Sequence, residues 1–398
     1  MTSPSHLTGA PAARTRAALA AALETVRRNI ATFGDAYPDD TTHADRYRLR
    51  PASGPFPEGG NRGWTTSFWV GMQWLAWEAT GDEIFRDAAV RHAADFARRV
   101  RDGEDLDTHD LGFLYSLASV TASRLAPART ERDAAAAAAL LAADHLMRRF
   151  LEPAGVIQAW GDLTDPQQAG RTIIDSLMNM PLLTWASART GQEYFAEAVR
   201  RHTTQLRQNI LRPDDSTFHT FYWDTVTGAA VRGATEQGAF DDSCWARGQA
   251  WGIYGFAINH RATGDPLLLD AAWRCAEYFV AHLPADGVPF WDLVYTDGSE
   301  APRDSSAAAI AACGFLELAR VDPDPRRAAR ARAAAEKLVT DLIAGYTPAE
   351  PAASDALLRH SVYDLPKRVG VDEGTLWGDY FYLEALVRLT TPDWETYW

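Results

Sequence analysis

The chain has 398 residues, two to three times the ~150 usual for one domain, yet a length that a large helical or α/β barrel reaches as one unit. With 46% hydrophobic and 23% charged residues it can bury a sizeable core, so a disordered chain, a collagen and a coiled coil are excluded. Thirty-nine Lys and Arg against 53 Asp and Glu leave a net charge of −14, the wrong sign for a general binder of nucleic acid or of an anionic membrane.

From the start, a flexible arm is expected over residues 1–12, followed by a first helix at about 13–33. Arg14 and Arg16 ahead of an Ala/Leu stretch faintly imitate a signal peptide. The stretch is short, however, and Glu24, Arg27 and Arg28 follow it without a clear cleavage site. An amphipathic helix and a cytoplasmic protein are the better reading. No run of eighteen apolar residues occurs, so no transmembrane helix is expected.

Further along, one phrase recurs: Thr80-Gly81-Asp82, Thr190-Gly191-Gln192 and Thr263-Gly264-Asp265. Gly suits the position that ends one helix, and Asp or Gln sits near the start of the next. Reading outward from these turns gives one set of Ala/Gly/aromatic-rich helices at about 65–79, 111–123, 173–189, 243–262, 304–320 and 375–390. A second, more amphipathic set lies at about 13–33, 83–101, 131–150, 192–210, 266–283 and 326–344. Helices apolar on most faces belong inside and those with one polar face outside. Two rings of six make an all-α (α/α)6 barrel, spanning 1–398 as a single domain. The alternation Phe218-His219-Thr220-Phe221-Tyr222-Trp223 before Thr227-Gly228 predicts one short β-hairpin.

Several chemistries are absent by inventory. The three cysteines, Cys244, Cys275 and Cys313, are odd in number and lack metal spacing, so neither a disulfide framework nor a zinc site follows. There is no nucleophile elbow, phosphate loop, His-Glu-x-x-His or dinucleotide loop. Neither cofactor nor metal is expected. Fourteen Trp, thirteen Tyr and sixteen Phe, many beside Gly, Asp, His or Arg, suit a pocket for sugar faces.

The long loops ahead of the inner helices carry the candidates. Asp110, after His109, either caps its helix or faces a cavity. Asp175, between Ile174 and Leu177, is a carboxylate on an apolar helix: a satisfied core acid, or an acid of raised pKa facing a cavity. Trp245, Arg247 and Trp251 lie within two turns. Arg247 framed by Trp rings either holds a substrate carboxylate or is neutralised by Asp241 or Asp242. Trp64 is equally core or platform.

Three motifs in order, His109-Asp110-Leu-Gly-Phe, Ile174-Asp175-Ser-Leu-Met-Asn and Trp245-Ala-Arg247-Gly-Gln-Ala-Trp251-Gly, resemble the unsaturated glucuronyl hydrolases, glycoside hydrolase family 88. The likeness runs from the Trp64 segment to Leu376-Trp377-Gly378-Asp379 and beyond. It implies the same (α/α)6 barrel and removal of a 4,5-unsaturated glucuronic acid from lyase-generated oligosaccharides by hydration of the vinyl ether. The resemblance makes Asp175 the general acid/base, with Asp110 and His109 tuning it and binding substrate. It also makes Trp64, Trp160, Trp245 and Trp251 aromatic pocket residues, His219 and Gln237 polar ones and Arg247 a basic one. In the last long loop, Lys367 and Arg368 either meet a sulfate or are solvated surface charges, and Asp364 opposes a sulfate site. An unsaturated rhamnogalacturonyl hydrolase and a non-catalytic sugar-binding barrel are the rivals. The Gln249-Ala250 step after Arg247-Gly248 fits the glucuronyl group better.

Overall fold

The structure, a computed structural model, describes residues 9–165, 168–391 and 393–398. The first eight residues of the expected arm lie outside the described residues; the chain is helical from Ala10, inside the stretch read as arm.

Helix α1 (Ala10–Phe33) is outer, and α2 (Thr66–Thr80) is the first inner helix. Outer α3 (Glu83–Asp102) follows, then the inner run α4, made of Leu111–Tyr115, a π turn at Ser116–Val120 and Thr121–Leu125. Outer α5 (Arg129–Met147) leads to a 3-10 turn (Ile174–Asn179) that runs into inner α6 (Met180–Thr190). The alternation continues with α7 (Glu193–Asn209), α8 (Ala246–Thr263), α9 (Pro266–Ala281), α10 (Ser305–Val321), α11 (Pro325–Gly345) and α12 (Leu376–Thr390).

The recurring phrase works as its residues require. Gly81, Gly191 and Gly264 end α2, α6 and α8 with φ of 70°, 74° and 73°, a backbone region that favours glycine. Asp82 and Asp265 then cap α3 and α9 by accepting from the amides of Ile84 and Leu267. Because only a two-residue turn separates the members of these three pairs, each outer helix there lies antiparallel against its inner partner.

Burial separates the two rings. Every residue of α2 from Thr66 to Ala76 is buried, whereas α3 buries a stripe of Phe85, Ala88, Ala89, His92, Ala93 and Phe96. Inner α12 packs against both α10 and α2, which closes the ring. Its axis is filled by rings, with Phe113, Tyr380 and Phe381 all in contact with Trp398.

The β-structure is richer than one hairpin. The expected strand is β6 (Thr220–Trp223), paired with β7 (Ala230–Ala234), but β5 (Arg171–Ile173) adds to its other edge and delivers the chain into the turn carrying Asp175. Antiparallel pairs β1–β2 (Pro38–His43, Arg46–Leu49), β3–β4 (Phe150–Leu151, Val156–Ile157) and β8–β9 (Ser361–Asp364, Val369–Glu373) stiffen other long loops. All nine strands among the described residues thus lie in the loops that lead into inner helices. Those loops form one rim, and the inner helices point their N-termini at it.

Candidate active site

Asp110 precedes α4 without capping it. Its Oδ2 accepts from the Thr108 hydroxyl at 2.8 Å, and the Thr108 oxygen in turn accepts from the Asp110 amide. The Phe113 amide, which a capping Asp110 would have taken, donates instead to Asn179 Oδ1 at 2.8 Å. Asp110 is therefore free to face the cavity. Nε2 of buried His109 lies 3.2 Å from Asp110 Oδ1 and 3.7 Å from Asp175 Oδ1.

Asp175 sits in the first turn of the 3-10 segment, 8% exposed, and its Oδ1 has no hydrogen-bond partner. A core acid satisfied by its neighbours is thereby ruled out. Burial pushes its carboxyl up to about 7; Asp110 adds to the rise, and His109 and Arg247 oppose it. Burial also works against ionisation of Asp110, but His109, Thr108 and Asn179 together hold that carboxyl below its ordinary value. Burial disfavours the His109 cation, and the charges of Asp110 and Asp175 outweigh it, raising the imidazole. The two acids are thus split, one neutral and one ionised, with an imidazole between them. Donor atoms of the three groups lie within 4.8 Å of one another, close enough to share a cation as well as a proton.

One cavity of about 330 Å³ is walled by all ten residues singled out in the sequence, from Trp64 and His109 to Arg247 and Trp251, Trp160 included. Trp64 belongs to the core and to the cavity wall: it is half-buried, stacks on Trp377 with centroids 5.1 Å apart and donates from Nε1 to the Tyr363 hydroxyl. Trp251 is buried against Phe113 and Phe381. Trp160 stands at the mouth with the Arg171 guanidinium over its ring. The His219 ring packs on Trp245, and its Nε2 meets Gln237 Oε1 at 3.2 Å. Burial lowers the His219 imidazole to about 4, so it is neutral near pH 7. Gln237 donates to the Tyr363 carbonyl.

Arg247 lines the cavity and is neutralised, though by a residue other than those read in the sequence. Its partner is Asp304, the cap of α10, at 2.9 Å, and neither Asp241 nor Asp242. Its remaining contacts are donations to the Val362 and Tyr363 carbonyls, at 2.5 and 2.8 Å. Rings of Trp245 and Trp377 sandwich the guanidinium. Through these bonds Arg247 pins the last loop over the pocket and supplies positive potential there.

Sequence reasoning missed Tyr363, Trp377, Asp304 and Glu236. Tyr363 and Glu236 line the cavity, but Tyr363 is brought there by the β8–β9 pairing and Glu236 by the loop after β7, and neither leaves a local mark. Asp304 was legible only as a helix cap, since its partner is 57 residues away. Lys367 also lines the cavity, with its Nζ 2.7 Å from Asp364 Oδ2.

Comparison with known proteins agrees with this geometry. Residues 41–318 match the model of Glycosyl Hydrolase Family 88. The chain is 44% identical over 375 residues to the unsaturated glucuronyl hydrolase of Bacillus sp. (strain GL1), covering 94% of this chain and 96% of that protein. To the unsaturated chondroitin disaccharide hydrolase of Streptococcus pyogenes serotype M1 it is 40% identical, covering 96% and 92%. The crystal structure of the unsaturated glucuronyl hydrolase from Streptococcus agalactiae superposes with a TM-score of 0.91 at 38% identity, covering 99% of this chain and 95% of that one. A mutant of that enzyme complexed with dGlcA-GalNAc6S gives 0.83 at 36% identity, covering 100% and 95%. With a matching barrel, a matching family model and two unequal acids at one rim, the chain belongs to glycosyl hydrolase family 88.

Proposed function

We propose that the protein releases 4,5-unsaturated glucuronic acid from the non-reducing end of lyase-generated glycosaminoglycan oligosaccharides by adding water across the C4=C5 bond. The observation that carries this is Asp175: a buried acid with an open oxygen, held neutral to about pH 7 beside an ionised partner. Protonated Asp175 gives its proton to C4, and positive charge develops at C5 and the ring oxygen. The carboxylate left behind takes a proton from the water that attacks C5. The resulting hemiketal opens, and the leaving sugar departs with its own oxygen. Burial and the Asp110 charge keep the first proton on Asp175, His109 holds Asp110 ionised, and both Asp110 and His109 bind the sugar hydroxyls.

An ordinary glycosidase pair would flank C1, with carboxyls ~6.5–9.5 Å apart for inversion or ~5–5.5 Å for retention. Here oxygens of the two acids approach within 4.8 Å, too close for inversion, and the one histidine they share splits their charges, which suits one acid/base with a tuning neighbour. The Arg247 charge and the aromatic walls favour a uronate despite the overall −14. Asp364 ties up Lys367 and adds negative charge at the wall, which favours unsulfated or lightly sulfated chondroitin or hyaluronan disaccharides. Three buried free thiols, Cys244, Cys275 and Cys313, fit the reducing cytoplasm.

Loss of the conjugated double-bond absorbance of an unsaturated chondroitin disaccharide tests the reading, with Asp175→Asn alongside. Loss with the parent and none with the variant is expected. Turnover of a rhamnose-linked unsaturated substrate alone would transfer the reading to pectin fragments. Binding of the disaccharide without any turnover by the parent would leave a sugar-binding barrel.

A further inference from the structure

The two acids hang on one contact. Gly112 lies two residues after Asp110, and Asn179 four after Asp175. A Cβ placed on Gly112 would stand 2.2 Å from Asn179 Cα and 2.4 Å from its carbonyl oxygen. Only glycine allows the start of α4 to approach the 3-10 turn this closely. Asn179 is wholly buried at that crossing. Its Oδ1 is occupied by the Phe113 amide, which settles the orientation of the side-chain amide. Its Nδ2 closes no hydrogen bond and acts on the Asp110 carboxylate, favouring the ionised form. An unclosed donor inside a protein is costly, and here it faces the one carboxylate that must stay charged.

We propose that Asn179 is a positioning residue of this reaction: one end of its amide fixes the start of α4 and the other holds Asp110, so that the two acids keep their spacing and their different charges. This rests on the hydration reading above. Asn179 touches neither the reacting carbons nor the water; it acts through Asp110. The other groups facing Asp110 are His109, Thr108, Asp175, Arg149 and Tyr363, and they are unchanged by the tests that follow.

Asn179→Leu keeps the size and adds no charge but deletes both ends of the amide. It is expected to lower kcat about 10-fold, the change in occupancy that one pKa unit at Asp110 brings, with KM within about threefold. The acid limb of its pH–rate profile should move to higher pH, because Asp110 gains protons more readily. Asn179→Ala removes packing as well and should lower the melting temperature further. A merely structural Asn179 predicts losses in both variants that follow the melting temperature, with an unmoved limb. That result overturns the proposal.

The Asp110 titration can also be read by carbon NMR of carboxyl-labelled intact protein, without turnover. An upward shift in Asn179→Leu is expected, and no shift would count against Asn179 whatever the enzyme hydrolyses. An active Asp175→Asn would instead sink the hydration reading, so the two failures are distinguishable.

Discussion

Buried charges gather at both ends of the inner helices, and the two groups are built on opposite rules. Near the C-terminal ends, Glu317 accepts from Arg261 at 2.5 Å and from Arg388 at 2.7 Å. Glu384 accepts from Arg388, the Tyr254 hydroxyl and Trp398 Nε1. Two acids meet two arginines, and burial of Glu317 is outweighed by those cations, which hold its carboxyl below the ordinary value. Near the N-terminal ends, two acids share one histidine, and Asp175 Oδ1 and His109 Nδ1 have no partner. Complete pairing makes a floor that fastens helices; incomplete pairing makes an acid ready to give up a proton.

Asp379 sharpens the lesson. Burial pushes its carboxyl up to about 8, yet the Tyr47 hydroxyl and the Leu357 and Leu358 amides occupy its oxygens. A raised pKa alone does not mark chemistry. An unpaired oxygen on an acid that lines a cavity does.

The comparison predicts different failures at the two ends. Asp175→Asn should lose on the order of 10³-fold or more in kcat, beyond the middle of the range for a general acid/base, and still bind disaccharide. The ultraviolet assay and equilibrium binding check this. Arg388→Ala should do the opposite: a stability loss of about 3–5 kcal/mol from leaving Glu317 and Glu384 short of a cation, read by denaturant unfolding, with kcat per folded molecule within about threefold of the parent. Arg247→Ala crosses the divide. It strands fully buried Asp304 and frees the last loop, so about 3 kcal/mol of stability and at least about tenfold in KM should go together.

The pH dependence separates the ends more gently. Asp175 is raised from 3.8 to about 7 in the folded protein, so the native state holds its proton longer than the unfolded chain. Its contribution to stability is complete below pH 3.8 and falls as pH rises towards about 7. Above pH 7 the parent should therefore be less stable than Asp175→Asn, by at least about 1 kcal/mol, while at pH 4 the two should nearly coincide. Melting at both values measures this. Turnover should decline above pH 7 as the acid loses its proton. Lys367→Ala should show the smallest effect: its pair with Asp364 is exposed on the lysine side, so stability should change by less than about 1 kcal/mol. KM for the unsulfated disaccharide should stay within about twofold, and a larger change would make the pair part of the substrate wall.

Much of this was legible in the chain. Repeated Thr-Gly turns and two kinds of helix pattern are local signals, and they located six inner and six outer helices to within a few residues, because a helix satisfies its own backbone and its buried stripe is written at spacings of three and four. Asp175 stood out because a carboxylate within an apolar run is locally anomalous, whereas Asp110 read as a helix cap until the motif resemblance singled it out. Chemistry beyond that depended on partners far along the chain. The Asp304 cap that neutralises Arg247, the strand β5 beside β6, the Gly112–Asn179 crossing and the open oxygen of Asp175 arise only when inner helices meet at one rim. Sequence alone determined which residues could ionise or stack. Tertiary structure decided which charges were paired and which were left open, since hydrogen bonds act over a few ångströms of space and are indifferent to separation along the chain.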